Sequence, residues 1–351
     1  MEPKKIQLKG LTISELRDYF ESIGESSFRG EQVFNWIYNH KSTDFYEMQN
    51  LPKALRTKLA ETCEISALRF VALQNSASTG TTKFLFKTND DKNIESVVIP
   101  EKDRSTLCIS TQVGCPLDCK FCATGLMGYK RNLTPGEIVD QYFQASKNYE
   151  QGEITNIVYM GMGEPLLNFE NTLKSIKIFT AELNKGLSRH RITVSTSGIP
   201  HKIIELAESE LRIKLALSLH SCFEDVRTKI MPINKKYSLK ENINAIKFYS
   251  KKTKTRITYE YTMLKDINDR DEDVKALVKL CSSTPSKINI IPFNSIKHMA
   301  PEGISSELEP TPINKIHEFA DKLRQKNTTV MIRETQGDDI AAACGQLAVQ
   351  Y

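Results

Sequence analysis

The sequence predicts an α/β fold: parallel βα units forming a barrel or an open parallel sheet, with a small helical module and a β-hairpin placed ahead of them. Three observations carry this. From Ser105 onward, short β-rich runs alternate with longer amphipathic segments, as parallel βα units require. Residues 11–64 instead repeat apolar side chains at helical spacing. Between the two, residues 66–104 hold two β-forming runs on either side of a polar turn. At 351 residues the chain is long enough for a full enzyme core and a smaller appendage.

Residues 1–65 make the first expected domain, a helical accessory module. Leu11-Thr-Ile-Ser-Glu opens a helix with Thr12 or Ser14 as its cap. Phe28-Arg-Gly-Glu-Gln opens a second, whose Val33, Trp36 and Ile37 share one face, and a third follows Pro52. Arg29, Lys41, Arg56 and Lys58 lie among them, so the module reads either as a basic surface or as a solvated cap. Residues 66–104 form the hairpin extension, with Lys83-Phe-Leu-Phe-Lys and Ile94-Glu-Ser-Val-Val-Ile flanking Asn89-Asp-Asp-Lys. Glu95 sits in the second run, and from the residues alone it is expected to face water. Residues 105–351 carry the barrel. Strands are expected at 106–111, 155–161, 191–196, 213–219, 257–263, 287–292 and 329–334, with helices at 134–149, 171–183, 201–209, 239–252, 271–281 and 312–325.

Composition narrows the class. Forty per cent apolar and 26% charged residues suit a globular protein, and no apolar run approaches the roughly 20 residues that span a bilayer. Met1 to Gly10 has no apolar signal core, and eight irregularly spaced cysteines without a signal point to a reducing cytoplasm. The net charge of +5 permits a nucleic-acid partner without requiring one.

The chemistry concentrates at the ends of the expected strands, where parallel βα folds assemble their sites. Strand one leads into Cys115, Cys119 and Cys122, a Cys-x3-Cys-x2-Cys run. Three clustered thiolates can hold three irons of a [4Fe–4S] cube and leave the fourth iron open to a small molecule. Structural zinc is the main competitor, but it wants four ligands, commonly in two separated pairs, and no second CxxC pair exists. Strand two ends in Gly161-Met-Gly163-Glu164-Pro165, backbone and one carboxylate suited to the ammonium of an amino acid. Ser195, Ser218, His220 and Asn294 tip other strands as short hydrogen-bonding groups. Cys344, among small residues beyond Asp338-Asp339, reads as a nucleophilic thiol. Cys108 is either a packed thiol or a redox partner, and Cys63, Cys222 and Cys281 read as inert.

The cysteine run resembles the signature of radical S-adenosylmethionine (SAM) enzymes. Together with MGMGEPLLN, STSG, SLH, MPINKKY, NIIPFN and GDDIAAACGQL, the chain from about Leu11 to Leu347 resembles the RlmN family of radical SAM RNA adenine-C2 methyltransferases, with Cfr as a near relative. The resemblance implies a partial (βα)6 barrel with an N-terminal accessory domain. It implies a [4Fe–4S] cluster on Cys115, Cys119 and Cys122, and SAM contacts at Gly163, Glu164, Ser195, Ser218, Leu219, His220 and Asn294. It makes Cys344 the methyl carrier, Cys108 the thiol that resolves the protein–RNA adduct through a transient disulfide, and Glu95 the proton acceptor, overriding its water-facing reading. It further implies two SAM molecules per turnover, 23S rRNA and tRNA as substrates, and a monomeric cytoplasmic enzyme supplied with electrons by a donor such as flavodoxin. Lys235, Lys236 and Arg29 are candidates for phosphate contact. Seven residues follow Cys344, so RNA affinity is expected from the N-terminal module and the barrel rim.

Overall fold

In the computed structural model, residues 5–183 and 187–349 are described; the outermost residues of the first and third expected domains, 1–4 and 350–351, lie outside them, as do 184–186 within the third. Three helices come first: α1 (Ile13–Ser22), α2 (Phe28–Tyr38) and α3 (Lys53–Thr62). Thr12 caps α1 in a reciprocal box with Glu15, which satisfies two amide donors that the first turn leaves free.

Ten strands among the described residues form one sheet: β1 (Leu68–Asn75), β2 (Thr82–Thr88), β3 (Asn93–Glu101), β4 (Arg104–Cys108), β5 (Asn156–Tyr159), β6 (Ile192–Thr196), β7 (Lys214–Ser218), β8 (Ile257–Met263), β9 (Ser286–Pro292) and β10 (Val330–Ile332). Each lies beside its predecessor in sequence. β1 to β4 are antiparallel, and β4 to β10 are parallel. The longer helices between the parallel strands are α4 (Pro135–Asn148), α5 (Phe169–Phe179), α6 (Pro200–Glu208), α7 (Leu239–Thr253), α8 (Asp271–Ser282) and α9 (Ile313–Arg324). The six units from β4 to β9 make the partial barrel, and β10 extends its edge.

The expected hairpin is present as β2 and β3, but it continues the barrel sheet and is joined by a third antiparallel strand, β1. A register shift between Phe70 and Ala72 breaks the period of two in β1 and hides it from a pattern reading. β8 is buried along all seven residues, as a strand covered on both faces must be.

The helical module is seated on the barrel. Lys9 Nζ lies 2.6 Å from Asp140 Oδ1 on α4, with both side chains buried. The amides of Ala67 and Leu68 donate to the other oxygen of Asp140 at 2.8 and 2.9 Å. Gly10 lies so close to α4 that a Cβ there would stand 2.3 Å from Gly136 N, and its φ of +99° favours glycine. One apolar cluster therefore runs from Leu16 and Phe20 in the module to Leu107, Val194 and Ile288 in the barrel.

Candidate radical SAM site

The cysteine loop leaves β4 through Gln112–Gly114 and is pinned at three backbone points. Cys115 N–H donates to Gly128 O at 3.1 Å, Lys120 N–H to Ile230 O at 2.9 Å, and Cys122 N–H to Cys119 O at 3.1 Å. Around it lies a second apolar cluster, with Leu117, Cys119, Ile230, Met231, Leu264 and Phe293 among its buried members. The three thiols are reduced and mutually close enough to act on one another. Burial pushes the Cys115 thiol up to about 12, and it raises Cys119 as well, with the neighbouring sulfurs adding to both. Neutral thiols are thus the resting form, and deprotonation has to accompany metal binding. Among the described residues no three His, Cys, Asp or Glu side chains are disposed to hold a single ion. Three sulfurs in an apolar wall fit a cluster with one sulfur per iron, and they lack the fourth ligand of structural zinc.

The Gly161-Met-Gly163-Glu164 turn follows β5 and packs on the segment after β4. A Cβ on Gly163 would lie 2.5 Å from Gln112 Cβ, and its φ is +98°. Glu164 is buried and accepts from Thr196 Oγ1 at 2.7 Å, Ser197 N at 2.8 Å and Leu166 N at 3.0 Å. Burial raises its pKa, and these hydrogen bonds offset part of the rise. None of the basic side chains described forms an ion pair with it, so a cation placed against Glu164 favours its ionised form. The ammonium of an amino-acid moiety meets that need, and in this respect the site fits SAM. Thr196 and Ser197 hold the carboxylate; Ser195, expected as a SAM contact, is buried in β6 one residue earlier.

Arg227 gathers the next strand tips, and sequence reasoning missed it. Its buried guanidinium donates to Ser197 O at 2.5 Å, Ser218 O at 3.1 Å, Leu219 O at 3.2 Å and Asn234 Oδ1 at 2.5 Å. Burial lowers its pKa to about 10. The available signal was its place three residues before Ile230 on the buried side of the short helix Glu224–Ile230. Asn234 had appeared only within a quoted motif.

His220 bridges two walls of the site. Thr262 N–H donates to its Nδ1 at 2.9 Å, so Nδ1 is unprotonated and a neutral ring carries its proton on Nε2. The ring lies 4.5 Å from that of Phe121 in the cysteine loop. Burial, then Arg227, lowers its pKa to about 3. Asn294 Nδ2 donates to Cys344 O at 3.0 Å, so this expected SAM contact also anchors the C-terminal loop.

Cys344 is accessible, yet protein surrounds it closely enough that burial, with Glu260 second, pushes its thiol up to about 11. Cys108, buried at the end of β4, is pushed up to about 12 by burial first and by Cys344 next. Arg333 acts on both thiols in the lowering direction. Glu95 does not face water. It is buried, and its Oε2 accepts from Ala348 N and Val349 N, each at 3.1 Å, while Lys83 Nζ stands 3.5 Å from Oε1. The C-terminal segment that covers it is some 250 residues away in the chain, which is why local patterning misled. Gln346 fixes this segment, donating to Ser295 O and Asp338 Oδ1 and accepting from Ala343 N. Of the three candidate phosphate contacts, Lys235 and Lys236 are exposed. Arg29 is half-buried and engaged with Gln32 and Asn50.

Comparison with known proteins decides the family. The chain is 42% identical to the probable dual-specificity RNA methyltransferase RlmN of Christiangramia forsetii, over 99% of this chain and 97% of that protein. The chain belongs to the RlmN family of radical SAM methyltransferases. Identity to the RlmN of Alcanivorax borkumensis is also 42%, over 99% of this chain and 91% of that one. Residues 6–65 match the model of the ribosomal RNA large subunit methyltransferase N-terminal domain, and residues 109–280 that of the radical SAM superfamily. A crystal structure of a radical SAM methyltransferase from Sphaerobacter thermophilus superposes with a TM-score of 0.91 at 37% identity, over 98% of this chain and all of that one. Membership of this family implies a [4Fe–4S] cluster and SAM as cofactors.

Proposed function

We propose that the protein methylates C2 of adenine in 23S rRNA, at the peptidyl-transferase centre, and in tRNA, just 3′ of the anticodon. The observation that supports this furthest is the pair of thiols beside the cysteine loop, an accessible Cys344 and a buried Cys108 within electrostatic reach of each other. An enzyme that only abstracts hydrogen has no use for such a pair.

Cys115, Cys119 and Cys122 would hold the cluster, which together with SAM would supply hydrogen-abstracting radical chemistry, a route open at an aromatic C–H that is too poor a nucleophile for polar transfer. The chain's residues do the rest. Glu164 and its loop orient the amino-acid end of SAM, and Ser218, Leu219 and His220 line the tips where the nucleoside lies. Cys344 carries the methyl group whose carbon becomes bonded to C2. Glu95 takes the proton that C2 loses, and one electron leaves the adduct with it, for which the cluster would be the acceptor. The Cys108 thiolate then attacks Cys344 Sγ, the sulfur–carbon bond breaks with its electron pair on the methylene carbon, which takes up a proton to become the methyl group, and a Cys108–Cys344 disulfide forms, to be reduced before the next cycle. Two SAM molecules serve each turnover, one for the methyl group and one for the radical. The protein works as a cytoplasmic monomer with a flavodoxin-type electron donor. Reaching C2 requires an unstacked nucleotide, which suits loop adenosines.

Reconstituted enzyme, labelled SAM, a reductant and total RNA, followed by nucleoside analysis, tests the reading. 2-Methyladenosine is expected, and 8-methyladenosine would assign the other regiochemistry. Cys344→Ala is expected to abolish product while leaving the brown cluster in place; turnover at the wild-type rate in that variant refutes the methyl-carrier role.

A further inference from the structure

Glu260 on β8 and Asn289 on β9 are direct cross-strand partners. Strand alternation turns Tyr261 outward, where its ring stacks on Phe319 of α9 at 6.0 Å, and so turns Glu260 into the barrel. Both residues are buried. Asn289 Nδ2 donates to Glu260 Oε1 at 3.0 Å. The two acceptors left, Glu260 Oε2 and Asn289 Oδ1, are buried and receive no hydrogen bond among the described residues. Native interiors rarely leave two adjacent acceptors open, so the pair asks for a ligand that brings N–H or O–H donors. Its height in the barrel is fixed by the Glu260 carbonyl, which accepts from Leu219 N and His220 N at the tip of β7. The carboxylate also lies within electrostatic reach of Cys344.

We propose that Glu260 and Asn289 read the exocyclic amine of the target adenine. This rests on the adenine-C2 reading and deepens it. The amine offers two N–H donors to two open acceptors, whereas guanine would bring a third acceptor, O6, against them.

The ribose hydroxyls of SAM have the same donor chemistry, and the test separates the two sources. An RNA stem–loop carrying the target adenosine, or purine riboside in its place, is titrated onto holoenzyme with S-adenosylhomocysteine bound, using wild type, Glu260→Ala and Asn289→Ala. Wild type is expected to bind the purine RNA about tenfold or more weakly, the worth of a hydrogen bond to a charged acceptor. The variants are expected to bind both RNAs alike, with unchanged affinity for S-adenosylhomocysteine. A purine penalty that persists undiminished in both variants overturns the proposal. So does a loss confined to S-adenosylhomocysteine, which assigns the pair to the ribose. Should Glu260→Ala fail to fold, Asn289→Ala and Glu260→Gln carry the same cycle. Binding needs no turnover, so a wild-type product at C8, or no product, faults the C2 reading separately from the amine contact.

Discussion

His220 holds a neutral ring in a left-handed backbone (φ +53°) with its Nδ1 already committed to Thr262. Its folded pKa of about 3 lies below the ordinary 6.5, so between these values the unfolded chain binds a proton that the folded chain refuses. Stability therefore falls as pH drops through this window, by about 1.4 kcal/mol per unit. Urea unfolding of the cluster-free protein at several pH values should show that slope and show it reduced in His220→Asn; an unchanged slope would remove His220 as its source. Cys344 titrates in the opposite sense. With its thiol near 11, alkylation by iodoacetamide should climb about tenfold per pH unit from neutrality toward pH 10. Glu260→Gln removes a negative charge beside it and should speed the reaction at any fixed pH in that range. No effect of this substitution would contradict the electrostatic influence of Glu260 on the thiol. That the cysteine run, Glu164 and the short polar residues fall at the ends of the parallel strands was legible in the sequence, because position within each βα unit is local; the roles given to them came from the family resemblance. Arg227 was not, since a single arginine in a short amphipathic run looks like any solvated one until the carbonyls it meets are known.

At the scale of elements, the short helix Glu224–Ile230 does two tasks. Its last residue receives Lys120 N–H from the cysteine loop, and its Arg227 ties together the turns after β6 and β7. Loss of Arg227 leaves three buried carbonyls without this donor, each costing about 1–3 kcal/mol. Arg227→Met should therefore lower stability by about 3 kcal/mol or more and weaken SAM binding, read by thermal unfolding and calorimetry, with Arg227→Lys recovering part of both. Full SAM affinity in Arg227→Met would mean that the strand tips hold their places without it. The order of strands and helices was readable because each parallel unit announces itself by its own period. β1 escaped because of its bulge. The burial of Glu95 escaped because β3 is covered by residues from the far end of the chain, and no local window contains both partners.

The whole molecule is one packed body in which the accessory helices share a core with the barrel. The buried Lys9–Asp140 pair sits at the seam, and Asp140 also receives two amides there. Removing one partner of such a pair strands the other, at about 3–5 kcal/mol. Asp140→Ala should lower the melting temperature of the whole chain in one transition. Two separate transitions in the wild type would show the module folding on its own. The match of residues 6–65 to a ribosomal RNA methyltransferase N-terminal domain gives the docked module its place in the family.

Glu95 is already spoken for when no nucleic acid is bound, because the amides of Ala348 and Val349 occupy its Oε2. Its other oxygen, Oε1, receives no hydrogen bond among the described residues, so the two amides fix the aim of the carboxylate to which the proposed reading gives the C2 proton.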